Sequence, residues 1–113
     1  MEQLDTRTLD LEEAAQAFAA LGSEQRLSVL QALVAAGPEG LSAGGLIERT
    51  GIAASTLTHH LRFLTQAGLV KQRREGRSIL STAEFGRVNQ LSQYLLLNCC
   101  ADASVSHEGH EHG

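Results

Sequence analysis

The chain has 113 residues, 42% of them hydrophobic and 19% charged, which suits one domain with a single core and is too apolar for wholesale disorder. Nine basic against thirteen acidic side chains give a net charge of −4, which taken alone argues against nucleic acid, and 4% aromatics with no Trp disfavour a base-stacking single-strand binder. Two cysteines exclude a disulfide framework, and no stretch reads as a signal peptide or membrane span, so the starting expectation is a reduced, cytoplasmic, mostly helical protein.

Leu11, Ala14, Ala15, Phe18 and Leu21 recur at spacings of three and four and predict a first helix over residues 10–21, stopped by Gly22. Ser23 can cap a second helix to about Ala36, with Leu27, Leu30, Leu33 and Val34 inward, before the break at Gly37-Pro38-Glu39-Gly40. Ser42 can cap a short third helix through Thr50. Gly44 and Gly45 each cost it roughly 1 kcal/mol against Ala, so packing must hold it. After a turn at Gly51-Ile52-Ala53, a fourth helix runs from about Ala54 to Ala67 with Leu57, Leu61 and Leu64 as its apolar face. Leu69 to Arg74 and Arg77 to Thr82 read as two short strands around Glu75-Gly76. A last helix, about Ala83 to Cys100, carries Val88, Leu91, Tyr94, Leu95 and Leu97, and residues 101–113 read as a flexible, His-rich tail.

The charge is unevenly placed along this order. Residues 1–25 sum to −5, 26–54 cancel and 81–113 sum to −3, while Arg62, Lys71, Arg73, Arg74 and Arg77 against Glu75 give residues 55–80 a balance of +4. Local charge decides whether a surface can meet phosphates. A short helix, a glycine turn, an amphipathic helix and a basic hairpin together make a winged helix-turn-helix. The fold expected is therefore mainly α (α+β), about five helices with a two-stranded β wing. Its helix-turn-helix spans residues 42–67 and its wing 69–82, within a domain of residues 1–100.

In such a motif the second helix enters the major groove by its N-terminal residues, here Ser55, Thr56, Thr58 and His59, with Arg62 one turn on. Hydroxyls and an imidazole there can reach base edges and phosphates, and Arg73, Arg74 and Arg77 would serve phosphates or the minor groove. Each residue alone could be an ordinary surface side chain; the polar face, the turn and the basic hairpin together favour double-stranded DNA. His60 falls beside Leu57, Leu61 and Leu64 and reads as a packed structural histidine.

From about Phe18 to Thr82 the chain resembles the ArsR/SmtB family of metalloregulatory repressors. The resemblance is carried by Ala20-Leu21-Gly22-Ser23-Glu24-Gln25-Arg26-Leu27, by Thr58-His59-His60-Leu61-Arg62-Phe63-Leu64, by Ala67-Gly68-Leu69-Val70 and by Arg73-Arg74-Glu75-Gly76-Arg77. It implies a homodimer formed by the first and last helices, repression by operator binding, and release on binding an effector. Leu91, Leu95 and their neighbours, in so short a chain, independently want a partner surface.

Cys99 and Cys100 are adjacent at the predicted end of the last helix. Thiolates are soft ligands for thiophilic ions and trivalent arsenicals. Adjacent side chains diverge in a regular helix, so joint ligation requires the helix to end or unwind there; the competing reading is two small hydrophobes at an interface. The family's helix-three Cys-x-Cys site is absent, since Ser42 and Gly44 stand there, and its Asp and His pairs on the last helix are absent between Ala83 and Asn98. What remains resembles arsenical-responsive members with a Cys-Cys pair after the last helix. Some of these add a third cysteine, which Ala101 to Gly113 lacks. A two-thiolate site leaves the third substituent of pyramidal arsenic to a methyl or aryl group, to hydroxide or to a tail ligand. The expected effector is thus a trivalent arsenical, with organic forms such as methylarsenite at least as favoured as arsenite, and no permanent cofactor.

His107, His110 and His112 could hold zinc, nickel or cobalt loosely, with a solvated terminus as the plainer reading and a Cys2His site as the metal variant. A thiol redox sensor is the stronger rival, and a divalent-metal-responsive repressor another. An enzyme is not expected, because no base is placed beside a thiol and no phosphate-cradling loop or carboxylate pair is present.

Overall fold

The computed structural model describes residues 9–103. It is a winged helix-turn-helix of five helices and a three-stranded antiparallel sheet: α1 (Leu11–Ala20), α2 (Glu24–Ala36), β1 (Leu41–Ser42), α3 (Ala43–Thr50), α4 (Ala54–Gln66), β2 (Val70–Glu75), β3 (Ser78–Ala83) and α5 (Phe85–Tyr94). A single 3-10 turn, Gly37–Glu39, separates α2 from β1.

Local chemistry sets most of these boundaries. Asp10 caps α1 in a reciprocal box with Glu13, Ser23 accepts from the Arg26 amide at the start of α2, and Ser42 accepts from the Gly45 amide at the start of α3. Gly51, with φ 74°, closes α3. α4 ends in a Schellman arrangement in which the Gly68 amide donates to the Thr65 carbonyl and the Leu69 amide to the Leu64 carbonyl, with φ of Gly68 at 78°. That reversal turns the chain directly into β2.

The core lies where α2, α3 and α4 meet the sheet. Leu33, Leu46, Leu57, Leu64, Leu69 and Val29 are fully buried, each Leu contributing about 1.5–3 kcal/mol by leaving water. α1 and α5 close one side, tied by Arg87 Nη1 to Glu13 Oε2 at 4.0 Å.

Three expectations need correction, and the expected two-stranded hairpin of β2 and β3 gains a third strand in its sheet: Leu41 and Ser42 pair with Ser81 and Leu80, giving the order β1-β3-β2. A two-residue strand carries no period by which sequence could announce it. α1 buries Ala14, Ala17 and Ala20, so the stripe of Leu11, Ala15 and Phe18 is turned outward, Leu11 being 74% exposed. Small side chains let the helix approach closely, and the bulky ones are left on the far side. α2 buries Val29, Leu30 and Leu33, with Leu27 and Val34 each 41% exposed. The last helix ends at Tyr94 rather than Cys100. Among the described residues nothing buries Leu95, Leu96 and Leu97, and helix propagation without tertiary packing is marginal. The backbone continues in turns, with i→i−3 bonds from the amides of Leu96, Leu97, Cys99, Ala101 and Ala103.

No helix among the described residues is long and apolar enough to cross a membrane.

Candidate DNA interface and thiol pair

α4 presents Ser55, Thr58, His59 and Arg62 on one exposed face, with Thr56 half-buried at its edge. No side chain caps the N-terminus of α4, where Ala53 is the N-cap, so its first amides remain open to an acceptor. The Thr58 hydroxyl donates to the Ala54 carbonyl at 3.1 Å and keeps its lone pairs for accepting. His59 packs edge-on against the Phe63 ring with centroids 4.9 Å apart. Five sequence-predicted recognition residues therefore share one helix.

The strand register divides the wing arginines. Arg73 lies opposite Leu80 and Arg74 opposite Ile79, so they occupy opposite faces of the sheet. Arg74, Arg77 and Arg62 are exposed and have no ionic or hydrogen-bonding partner among the described residues. Arg73 is engaged by the protein itself: Nη2 donates to the Glu39 carbonyl at 3.3 Å and Nε lies 3.6 Å from Glu75 Oε2. Lys71 is also spoken for, 3.8 Å from Glu84.

His60 is the packed histidine its position implies, only 7% exposed. Its Nδ1 accepts from Arg26 Nε at 3.3 Å and its Nε2 lies 3.0 Å from Gln25 Oε1, so the neutral ring carries its proton on Nε2. Burial first, then the neighbouring Arg26 and His59, hold its pKa below the ordinary imidazole value. Neither partner is legible from the helix pattern, since Arg26 and Gln25 lie 34 and 35 residues away along the chain.

Cys99 and Cys100 sit beyond the end of α5, exposed, as free thiols with Sγ atoms 3.4 Å apart. Cys100 has φ 64°, a conformation few non-glycine residues adopt. The helix has ended before the pair, as joint ligation requires. A hydrogen bond with the Cys100 thiol, and then its charge, push the Cys99 thiol above its ordinary pKa. Among the described residues no group of three or more His, Cys, Asp or Glu side chains could hold a metal ion. His107, His110 and His112 lie outside the described residues.

A family model described as a helix-turn-helix domain matches residues 21–73. The chain is 32% identical over 91 residues to the HTH-type transcriptional regulator YgaV of Escherichia coli, covering 80% of this chain and 90% of that protein. It is 38% identical over 64 residues to the uncharacterized HTH-type transcriptional regulator YceK of Bacillus subtilis, covering 57% of this chain and 63% of that protein, slightly less than two thirds of its length. Among solved structures it is similar to an ArsR-like transcriptional regulator from a Rhodococcus species, with TM-score 0.68 and 31% identity over 80% of this chain and 82% of that one. It is also similar to the homodimeric winged helix-turn-helix DNA-binding domain of a possible ArsR-family regulator from Mycobacterium bovis, with TM-score 0.62 and 27% identity over 90% of each chain.

Proposed function

The chain belongs to the ArsR family of helix-turn-helix transcriptional regulators, and we propose that it is a homodimeric repressor that leaves its operator when a trivalent arsenical binds Cys99 and Cys100. The observation that carries the effector is the exposed thiol pair, 3.4 Å apart and outside the packed core. Two thiols can replace two hydroxides on methylarsenite, CH3As(OH)2, forming two As–S bonds and releasing two waters. The methyl group then completes the pyramid without a third protein ligand, and each hydroxide leaves as water by taking the proton of the thiol that replaces it. With inorganic arsenite, a hydroxide would fill that place.

The DNA side of the reading rests on α4 and the wing. Arg74 and Arg77 act as phosphate contacts, so Arg74→Gln and Arg77→Gln each lower the slope of log affinity against log salt by about 1. Arg73→Gln leaves that slope nearly unchanged, because its charge is already paired. A salt titration of DNA binding by fluorescence anisotropy measures all three.

The dimer is supported by the apolar surface exposed among the described residues: Leu11 and Phe18 on α1, and Leu95, Leu96 and Leu97 after α5. These are the segments through which the family resemblance pairs two copies, and the similar Mycobacterium bovis domain is homodimeric. Ligation after α5 would then act on the interface that spaces the two recognition helices.

The test is release of a labelled duplex from the protein's own promoter. Methylarsenite releases it at the lowest concentration, arsenite at a higher one, and peroxide not at all. Release by peroxide with indifference to both arsenicals would establish a thiol redox sensor instead, a reading the same sulfur separation favours.

A further inference from the structure

A polar cluster lies beneath the recognition helix, away from the side chains that face outward. At its centre is Arg26, half-buried near the start of α2. Its Nε donates to His60 Nδ1 at 3.3 Å, its Nη1 donates to the Ala20 carbonyl at 3.0 Å, and its guanidinium carbon stands 4.5 Å above the centre of the Phe63 ring. Ala20 ends α1, so its carbonyl is one that the helix itself cannot satisfy, and a cation there complements the helix dipole. His60 and Phe63 both belong to α4. Phe63 in turn supports His59, which faces outward.

We propose that Arg26 is a positioning residue for DNA recognition, fixing α4 against the end of α1 so that Thr58, His59 and Arg62 reach DNA in a set orientation. This rests on the DNA-binding reading above. Only a planar fork can do the three tasks at once: two divergent donors in one plane and a face for the aromatic ring. A lysine in its place keeps the charge but has one nitrogen, and leaves at least one buried acceptor without its donor. The link crosses from the helix expected to contact a second copy to the helix expected to contact DNA.

The cluster also defines a protonation state. His60 Nδ1 must be a bare acceptor, and protonation both removes that lone pair and sets a second cation against Arg26. Facing the imidazole are Arg26 and the Gln25 amide from α2 and His59 from its own helix, and the Ala20 carbonyl of α1 holds the far side of the Arg26 guanidinium. No carboxylate lies within ion-pairing distance of it among the described residues. The sign follows from the lowered pKa: the interaction is intact above the ordinary histidine value and is lost as pH falls through the lower value of the folded protein.

The experiment measures anisotropy of the promoter duplex, with affinity expressed per folded protein as counted by circular dichroism at each pH. Arg26→Lys binds about tenfold more weakly with an unchanged salt slope. Wild-type affinity in Arg26→Lys would make Arg26 a bystander, and a salt slope lower by about 1 in Arg26→Gln, which removes the charge, would make it a phosphate contact; either result overturns the proposal. A second variant avoids dependence on Arg26 being replaceable. In a His59→Asn background, which removes the exposed imidazole, the remaining acid-side loss of affinity disappears on His60→Asn, whose amide oxygen can stand where Nδ1 accepted. Persistence of that acid limb would equally refute the role. The nitrogen-15 spectrum of His60 reports an unprotonated Nδ1 without any DNA present. Failure of the wild type to bind the duplex, with that spectrum intact, would therefore remove the DNA reading rather than the Arg26–His60 bond.

Discussion

Cys99→Ser and Cys100→Ser proteins should bind promoter DNA as the wild type does, yet each should need about 100-fold more methylarsenite for release. The reason is chelation. Once one As–S bond has formed, the second thiol is held 3.4 Å from the first, so its bond closes within one molecule instead of waiting for a free thiol. Removing either sulfur removes that closure but leaves one As–S bond possible, so the double variant, with no thiol left, should not respond at all. DNA affinity is spared because both residues lie outside the packed core and beyond the last helix. Isothermal titration with methylarsenite and anisotropy with the duplex separate the two properties. Unchanged release in either single variant would refute the two-thiolate site.

Gly40→Ala should destabilise the protein by about 3 kcal/mol, the upper part of the range for forced overpacking. Gly40 follows the 3-10 turn at φ 75°, and a Cβ there would run into the Ser81 carbonyl oxygen and lie 2.6 Å from Thr82 Cγ2. Both obstacles belong to β3, and the carbonyl is backbone that cannot rotate aside. Relief requires β1 and β3 to part, which also frees the Glu39 carbonyl from Arg73. Gly37→Ala is the matched control: φ is 80°, but nothing lies within 4 Å of the added atom. It should cost about 1 kcal/mol, the conformational penalty alone. In thermal unfolding, Gly40→Ala should lower Tm by on the order of 10–20 °C. Equal losses in the two variants would show that the close approach of β3 does not matter.

The sequence was most legible where structure is set by neighbours along the chain. Ser23 and Ser42 as caps, Gly68 as a stop and Gly76 as a turn are decided within a few residues, and all stand where the pattern puts them. His60 was readable as packed because its helix places it beside Leu57 and Leu64. Faces were harder. An alanine-rich helix such as α1 offers two nearly equivalent apolar stripes, and only the close approach of its neighbours selects the smaller one. The reach of the last helix is not legible, because Leu95 and Leu97 keep its spacing while nothing among the described residues buries them. Arg73 and Arg74 are neighbours of one type, and only strand register assigns one to Glu39 and leaves the other exposed. Arg26 was visible as a motif residue, but its acceptors come from two other helices.

The segment after Tyr94 has a consequence for how such a regulator can change. Its turns are held by i→i−3 bonds, and none of residues 95–103 is buried in the described chain. On the proposed reading, selection can exchange, add or remove liganding side chains there without reopening the core that supports α4 and the wing. Ligand preference and DNA preference would then drift independently, a new chemical sense being acquired by editing a handful of codons after that of Tyr94.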